Sequence, residues 1–97
     1  MNDSGKLGEM KAQLAQELAK WQEKIDEARV QLNLGGKEVE EKIQPYLEQL
    51  ENEMQKAKEK WSELEGATES SWADIKAGLD SSVDAMKEAF SNAKKHF

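Results

Sequence analysis

Ala28-Arg29-Val30-Gln31-Leu32-Asn33-Leu34-Gly35-Gly36-Lys37-Glu38-Val39-Glu40-Glu41-Lys42-Ile43 is the stretch that decides the fold. Two adjacent glycines interrupt an otherwise helical pattern, and each costs about 1 kcal/mol inside a helix relative to alanine. Glycine directly after a helix is the usual C-terminal stop. Glu38, Glu40 and Glu41 then place negative charge where the amino terminus of a new helix favours it. Read this way, the stretch is a turn between two helices. The apolar stripe nevertheless runs from Ala28 and Leu32 to Val39 and Ile43 at helical spacing, with no jump in phase. A single bent helix from about residue 7 to 64, paired in an oligomer, satisfies the same residues.

Outward from the glycines, apolar positions recur every three or four residues, the signature of amphipathic helices. Leu14, Leu18, Trp21, Ile25, Ala28 and Leu32 form one stripe, and Ile43, Leu47, Leu50, Met54, Ala57, Trp61 and Leu64 a second. The third comprises Trp72, Ile75, Leu79, Val83, Met86, Phe90, Ala93 and Phe97. Glu65-Gly66-Ala67-Thr68-Glu69-Ser70 separates the second stripe from the third. Ser71-Trp72-Ala73-Asp74 follows, with the S-x-x-D form of a capping box, and predicts a helix start at Ser71. Pro45 lacks an N–H and clashes with the preceding turn. It predicts either a kink near residues 41–45 or a helix that begins close to it, with residues 33–44 as a connector. Ala28, Val39, Leu50, Trp61, Trp72 and Val83 recur at eleven residues, a period that favours straight packing over a long left-handed supercoil.

With both breaks as turns, helices lie at about 6–33, 37–65 and 71–96, each on the order of 40 Å long. Similar lengths and short connections predict an all-α, antiparallel three-helix bundle or helical coiled coil, a single domain over residues 1–97. The alternative keeps the long bent helix, adds a short C-terminal one, and requires an oligomer.

Composition narrows the function. The 97 residues contain no cysteine, which removes disulfides, thiolate zinc sites and cysteine nucleophiles together. Met1-Asn2-Asp3-Ser4-Gly5-Lys6 is followed by no apolar run, so no leader peptide is visible, and the expectation is a soluble, cytoplasmic chain. Net charge is −6. Residues 35–70 hold five basic against ten acidic side chains, so most of the excess lies in the middle third. Nucleic-acid binding draws its affinity from phosphate neutralisation, and an acidic chain without a basic stripe does not supply it.

The chemistry-bearing residue types form no catalytic constellation. Carboxylate-bridged metal bundles need inward glutamates with E-x-x-H pairs on facing helices. The one histidine, His96, has no glutamate three before it, and Glu51, Glu53, Glu59 and Glu63 fall largely off the apolar stripe. No metal, cofactor or small-molecule substrate is expected. Ser62, Ser70, Ser71, Ser81, Ser82 and Ser91 have no histidine base nearby in sequence, so no triad is legible. Phosphate loops and dinucleotide fingerprints are absent. His96 reads as a frayed terminal side chain, and the chain as a non-enzyme.

What stands out instead is aromatic. Trp21, Trp61 and Trp72 each lie on a stripe, where they serve as core anchors or, if exposed, as a partner or membrane-interface surface. The core reading is preferred for Trp21 and Trp61, and Trp72 fits either. Residues 72–97 pair a rich apolar face with small and hydroxylated residues, Ser81, Ser82, Ala85 and Ser91, and with Lys87, Lys94 and Lys95. Such a helix can lie on a bilayer by apolar insertion, or dock as the third member of a bundle.

Two runs carry a resemblance. Trp21-Gln22-Glu23-Lys24-Ile25-Asp26, and Trp72-Ala73-Asp74-Ile75-Lys76-Ala77-Gly78-Leu79 continuing through Met86, Phe90 and Phe97, flank a Glu/Lys/Gln-rich middle. This resembles small bacterial, notably cyanobacterial and proteobacterial, coiled-coil proteins of the stress response. Their pattern is W-x-x-x-I-D, a charged helical middle, a short Ser/Gly break, then W-[DE]-[DE]-[LI]-K-x-G-[LV]. The likeness spans roughly residues 14–97 and implies a stress-linked helical protein without an active site. The expected function is helix–helix association with itself or a protein partner, through Trp21, Ile25, Leu50, Trp61, Leu64, Trp72, Ile75, Leu79 and Phe90. The alternative is an apolipoprotein-like binder of lipid or membrane surfaces using residues 72–97.

Overall fold

A computed structural model describes residues 3–97, with side chains at 7–68 and 70–97. Met1 and Asn2, part of the amino terminus read above for a leader, lie outside the described residues. Helix α1 runs Asp3–Leu34, α2 runs Gly36–Glu63, a 3-10 turn covers Leu64–Gly66, and α3 runs Glu69–Lys94. The fold is all-helical, with no strand among the described residues.

The glycine pair is a turn, and the long bent helix does not form. Gly35 still donates to the Gln31 carbonyl at 3.0 Å, closing the last bond of α1. Gly36 then takes φ +76°, the left-handed conformation that reverses a chain after a helix and that glycine adopts without a Cβ clash. A Cβ on Gly35 would collide with the Val39 side chain, so both positions exclude a larger residue for different reasons. The continuous stripe across the glycines therefore reflects two helices that bury the same face against each other.

Contacts fix the topology as up-down-up. Arg29 meets Glu51 at 2.9 Å while Lys11 meets Glu65 at 3.0 Å, so α1 and α2 are antiparallel. The His96 ring stacks on Tyr46 and the Lys60 stem crosses Gly78, so α2 and α3 are antiparallel as well. Trp21 packs edge-on against Phe90, which sets α1 parallel to α3. The result is a rod of 55 × 18 × 17 Å. Its radius of gyration is 15.7 Å, against about 12.5 Å for a compact domain of this length.

Two sequence expectations are corrected at the helix starts. Helix α3 is capped by Thr68, not Ser71: the Thr68 hydroxyl accepts from the Ser71 N–H at 3.3 Å, and the Trp72 N–H bonds to the Thr68 carbonyl at 3.0 Å. Ser71 is the third helical residue, its hydroxyl 3.0 Å from that of Thr68. Pro45 neither starts α2 nor leaves residues 33–44 as a connector. It sits at the tenth position of a continuous helix. Pro45 and Glu41, whose carbonyl loses its helical partner, both face solvent, where water can bond the freed oxygen.

The core is a single column. Leu14, Leu18, Trp21, Ile25 and Ala28 from α1 meet Leu47, Leu50, Met54 and Ala57 from α2. Leu64, Trp72, Leu79, Val83, Met86, Ala89 and Phe90 complete it. Burial of one such large apolar side chain contributes about 1.5–3 kcal/mol. On α3, Gly78, Ser82, Ala89 and Ala93 recur at helical spacing on the side that meets α2. Small residues there let α2 and α3 approach most closely, whereas α1 and α3 touch sparsely. Ser82, read from sequence as part of a polar face, is accordingly buried.

Candidate functional site

The residues expected to mediate association are brought together, but inside the chain. Ile25, Leu50, Leu64 and Leu79 are almost completely enclosed, and Trp21, Trp72 and Phe90 are buried. Ile75 and Trp61 are half-buried against the same cluster. Trp72, which suited either a core or a surface role, is a core residue. Trp61 lies at the α1–α2 boundary: its indole N–H donates to the Lys11 carbonyl at 3.1 Å, and the Lys11 ammonium sits 4.7 Å from its ring centre. Trp21 carries the Lys24 ammonium at 4.5 Å from its ring centre, and the same ammonium lies 5.7 Å from Phe90. His96 is not frayed: its imidazole is half-buried and parallel to the Tyr46 ring at 6.3 Å.

Two surface features remain. The first is the tip of the α1–α2 hairpin. With His96 level with Tyr46, the turns of α2 that precede the fully buried Ile43 extend beyond the end of α3 by about 10 Å, and the end of α1 projects with them. Here Leu34 is 76% exposed and Val30 52%, while Leu32 and Val39 are half-buried. Phe97, 40% exposed, stands at the foot of the projection against Phe90. Sequence reading passed over Val30 and Leu34 because it followed the stripe. Each lies two residues from Leu32, about 200° around the helix, and that misfit was the available signal.

The second feature is the seam between α1 and α3. Two clefts open along it, of about 390 and 180 Å3. The larger is walled by Lys20, Trp21 and Lys24 from α1 and Lys87 from α3. The smaller lies between Gln13 and Glu17 on one side and Lys76 and Asp80 on the other. The polar links of α1 run to the other neighbours: Arg29 to Glu51, Lys58 to Gln22, Trp61 to the Lys11 backbone, and Lys11 to Glu65 in the 3-10 turn. No hydrogen bond or ion pair joins α1 to α3 among the described residues.

Neither feature assembles reactive groups. No cluster of three or more His, Asp or Glu side chains with metal-binding geometry occurs among the described residues. No helix among them is long and apolar enough to cross a membrane. Comparison with protein-family models, with curated proteins and with solved structures returned no match.

Proposed function

We propose that this chain is a non-enzymatic, stress-linked helical protein that acts by association with a second copy of itself or with a protein partner. The observation that carries the reading is the projecting hairpin tip. Nearly all stripe residues are used inside the bundle, so the large apolar side chains left exposed among the described residues are Val30 and Leu34, with Phe97 at the foot of the projection. Exposed apolar side chains grouped at one end of a polar rod are the usual mark of a contact surface. The stress link rests on the resemblance carried by Trp21–Asp26 and Trp72–Leu79. Sedimentation velocity over a range of concentrations tests self-association. A mass above the monomer that Leu34→Glu abolishes supports it, and a monomer at every concentration retires it in favour of a different protein partner.

A second reading, lipid-surface binding, is favoured by one observation. The apolar face of α3 points inward, so lipid reaches it only if the bundle opens, and the α1–α3 seam carries no polar link among the described residues. Tryptophan emission measured before and after addition of neutral and anionic vesicles separates the two readings. A spectrum indifferent to both vesicles excludes the lipid role, and a blue shift of the half-buried Trp61 population on addition supports it.

A further inference from the structure

The three interfaces of the bundle are unequal, and the inequality defines how it can come apart. Freeing α1 altogether breaks the Arg29–Glu51 and Lys11–Glu65 ion pairs, the Trp61–Lys11 hydrogen bond and the Gln22–Lys58 contact. Freeing α3 altogether separates the closest-packed pair, where Gly78 lies under the Lys60 stem and Ser82, Ala89 and Ala93 follow on the same stripe. Separating only α1 from α3 breaks neither set. It costs the Trp21–Phe90 edge contact at 6.2 Å, the reach of Lys24 over Phe90 and exposure of the apolar column, a burial that releasing α1 or α3 altogether also forfeits, and it runs along a line already interrupted by two clefts.

From this we infer that the bundle opens along the α1–α3 seam with α2 as the spine, unrolling into a flat layer of three helices in the order α1, α2, α3. The layer turns the buried column outward as one continuous apolar face carrying Trp21, Ile25, Leu50, Leu79 and Phe90. Each helix keeps its own backbone hydrogen bonds throughout, because helical bonding is internal to the segment. The opening is therefore distinct from unfolding: it exposes side chains without melting helices. It holds whichever partner meets the exposed face, so it stands or falls apart from either reading of function.

The chain has no cysteine, so introduced pairs can be bridged cleanly. One variant, Gln13→Cys with Asp80→Cys, is closed by a short bis-maleimide across the smaller cleft and ties α1 to α3. Another, Gln22→Cys with Lys58→Cys, ties α1 to α2. The readout is peroxide oxidation of Met86 and Met54, both buried, mapped by mass spectrometry in native buffer. The α1–α3 bridge is expected to slow oxidation of both methionines at least tenfold relative to the α1–α2 bridge. Loop-closure entropy alone separates the two bridges by only about threefold. Lys20→Cys with Lys87→Cys, bridged across the larger cleft, must protect equally, which guards against local distortion at either site. Equal protection by the α1–α2 bridge would show that oxidation proceeds through general unfolding and would overturn the inference. Unchanged rates in the α1–α3 bridged proteins, or methionines that resist oxidation in the unbridged chain, would overturn it too.

Discussion

Val39 occupies the space that a Cβ on Gly35 would need, and Gly36 holds a φ that L side chains rarely adopt. Gly35→Ala gains helix propensity, since Gly35 itself has helical dihedrals, but forces Val39 aside. Crowding of that kind costs about 1–3 kcal/mol and outweighs the propensity gain of under about 1 kcal/mol. Because the Val39 Cβ itself lies in that space, urea denaturation should show Gly35→Ala destabilising in the natural background and costing markedly less when Val39→Gly, which removes the Cβ, is also present. Additive effects in that double-mutant cycle would mean that the clash is relieved elsewhere. The cap at α3 gives a second comparison at this scale. Removing the Thr68 hydroxyl should cost about 1 kcal/mol, as loss of an N-cap does. Ser71→Ala should cost only a few tenths, because the capping bond uses the Ser71 backbone N–H and the variant loses only an exposed hydroxyl contact with Thr68. Loss of stability with Ser71→Ala alone would return the cap to the position that the S-x-x-D spacing suggests. That spacing misled because it scores the acidic residue at the third helical position, whereas Thr68 caps with a serine there.

Among the elements, α2 carries the one residue that works against its own helix. Pro45 removes the N–H that would bond to the Glu41 carbonyl, and its ring crowds the preceding turn. Both residues face solvent, and no core contact depends on the proline. Pro45→Ala should therefore stabilise by about 1–3 kcal/mol, with the urea m-value unchanged, because the surface exposed on unfolding stays the same. A destabilised variant would show that the proline shapes α2 for its neighbours. The stripes of all three helices were legible in sequence, because burial follows the 3.6-residue period so closely that Leu14 through Ala28 and Ile43 through Ala57 are the buried residues. The path of α2 through Pro45 was legible only as one option, since the periodicity put a helix at about 37–65 while the proline pointed to a kink or a later start. A proline predicts a local energetic cost, and tertiary packing on the Ile43, Leu47 and Leu50 face outweighs that cost without leaving a mark in the local sequence. The inward turn of Ser82 was hidden for a related reason. A serine reads as surface until its neighbour on the adjacent helix is known.

For the molecule as a whole, the unused apolar surface sits at one end of a long axis, which makes any self-association through it geometrically distinctive. A two-fold contact between hairpin tips pairs Val30 and Leu34 of one copy with the same residues of the other and places the rods end to end. The monomer has a radius of gyration of 15.7 Å and a long axis of 55 Å. An end-to-end dimer about doubles both, whereas a side-by-side dimer leaves the long axis nearly unchanged and thickens the rod. Small-angle scattering over a concentration series therefore distinguishes the two from the longest dimension alone. Exposed ion pairs such as Arg29–Glu51 contribute little and weaken in salt, so a tip contact built on apolar burial should persist as ionic strength rises. A longest dimension near 110 Å that holds in salt, and returns to the monomer value in Leu34→Glu, is the outcome expected of tip-to-tip association through a surface of this kind. A particle that thickens with concentration without lengthening would place the contact on the helix flanks instead. Growth confined to low salt would assign it to the charges of those flanks, since screening removes such attraction beyond about 10 Å at 0.1 M salt.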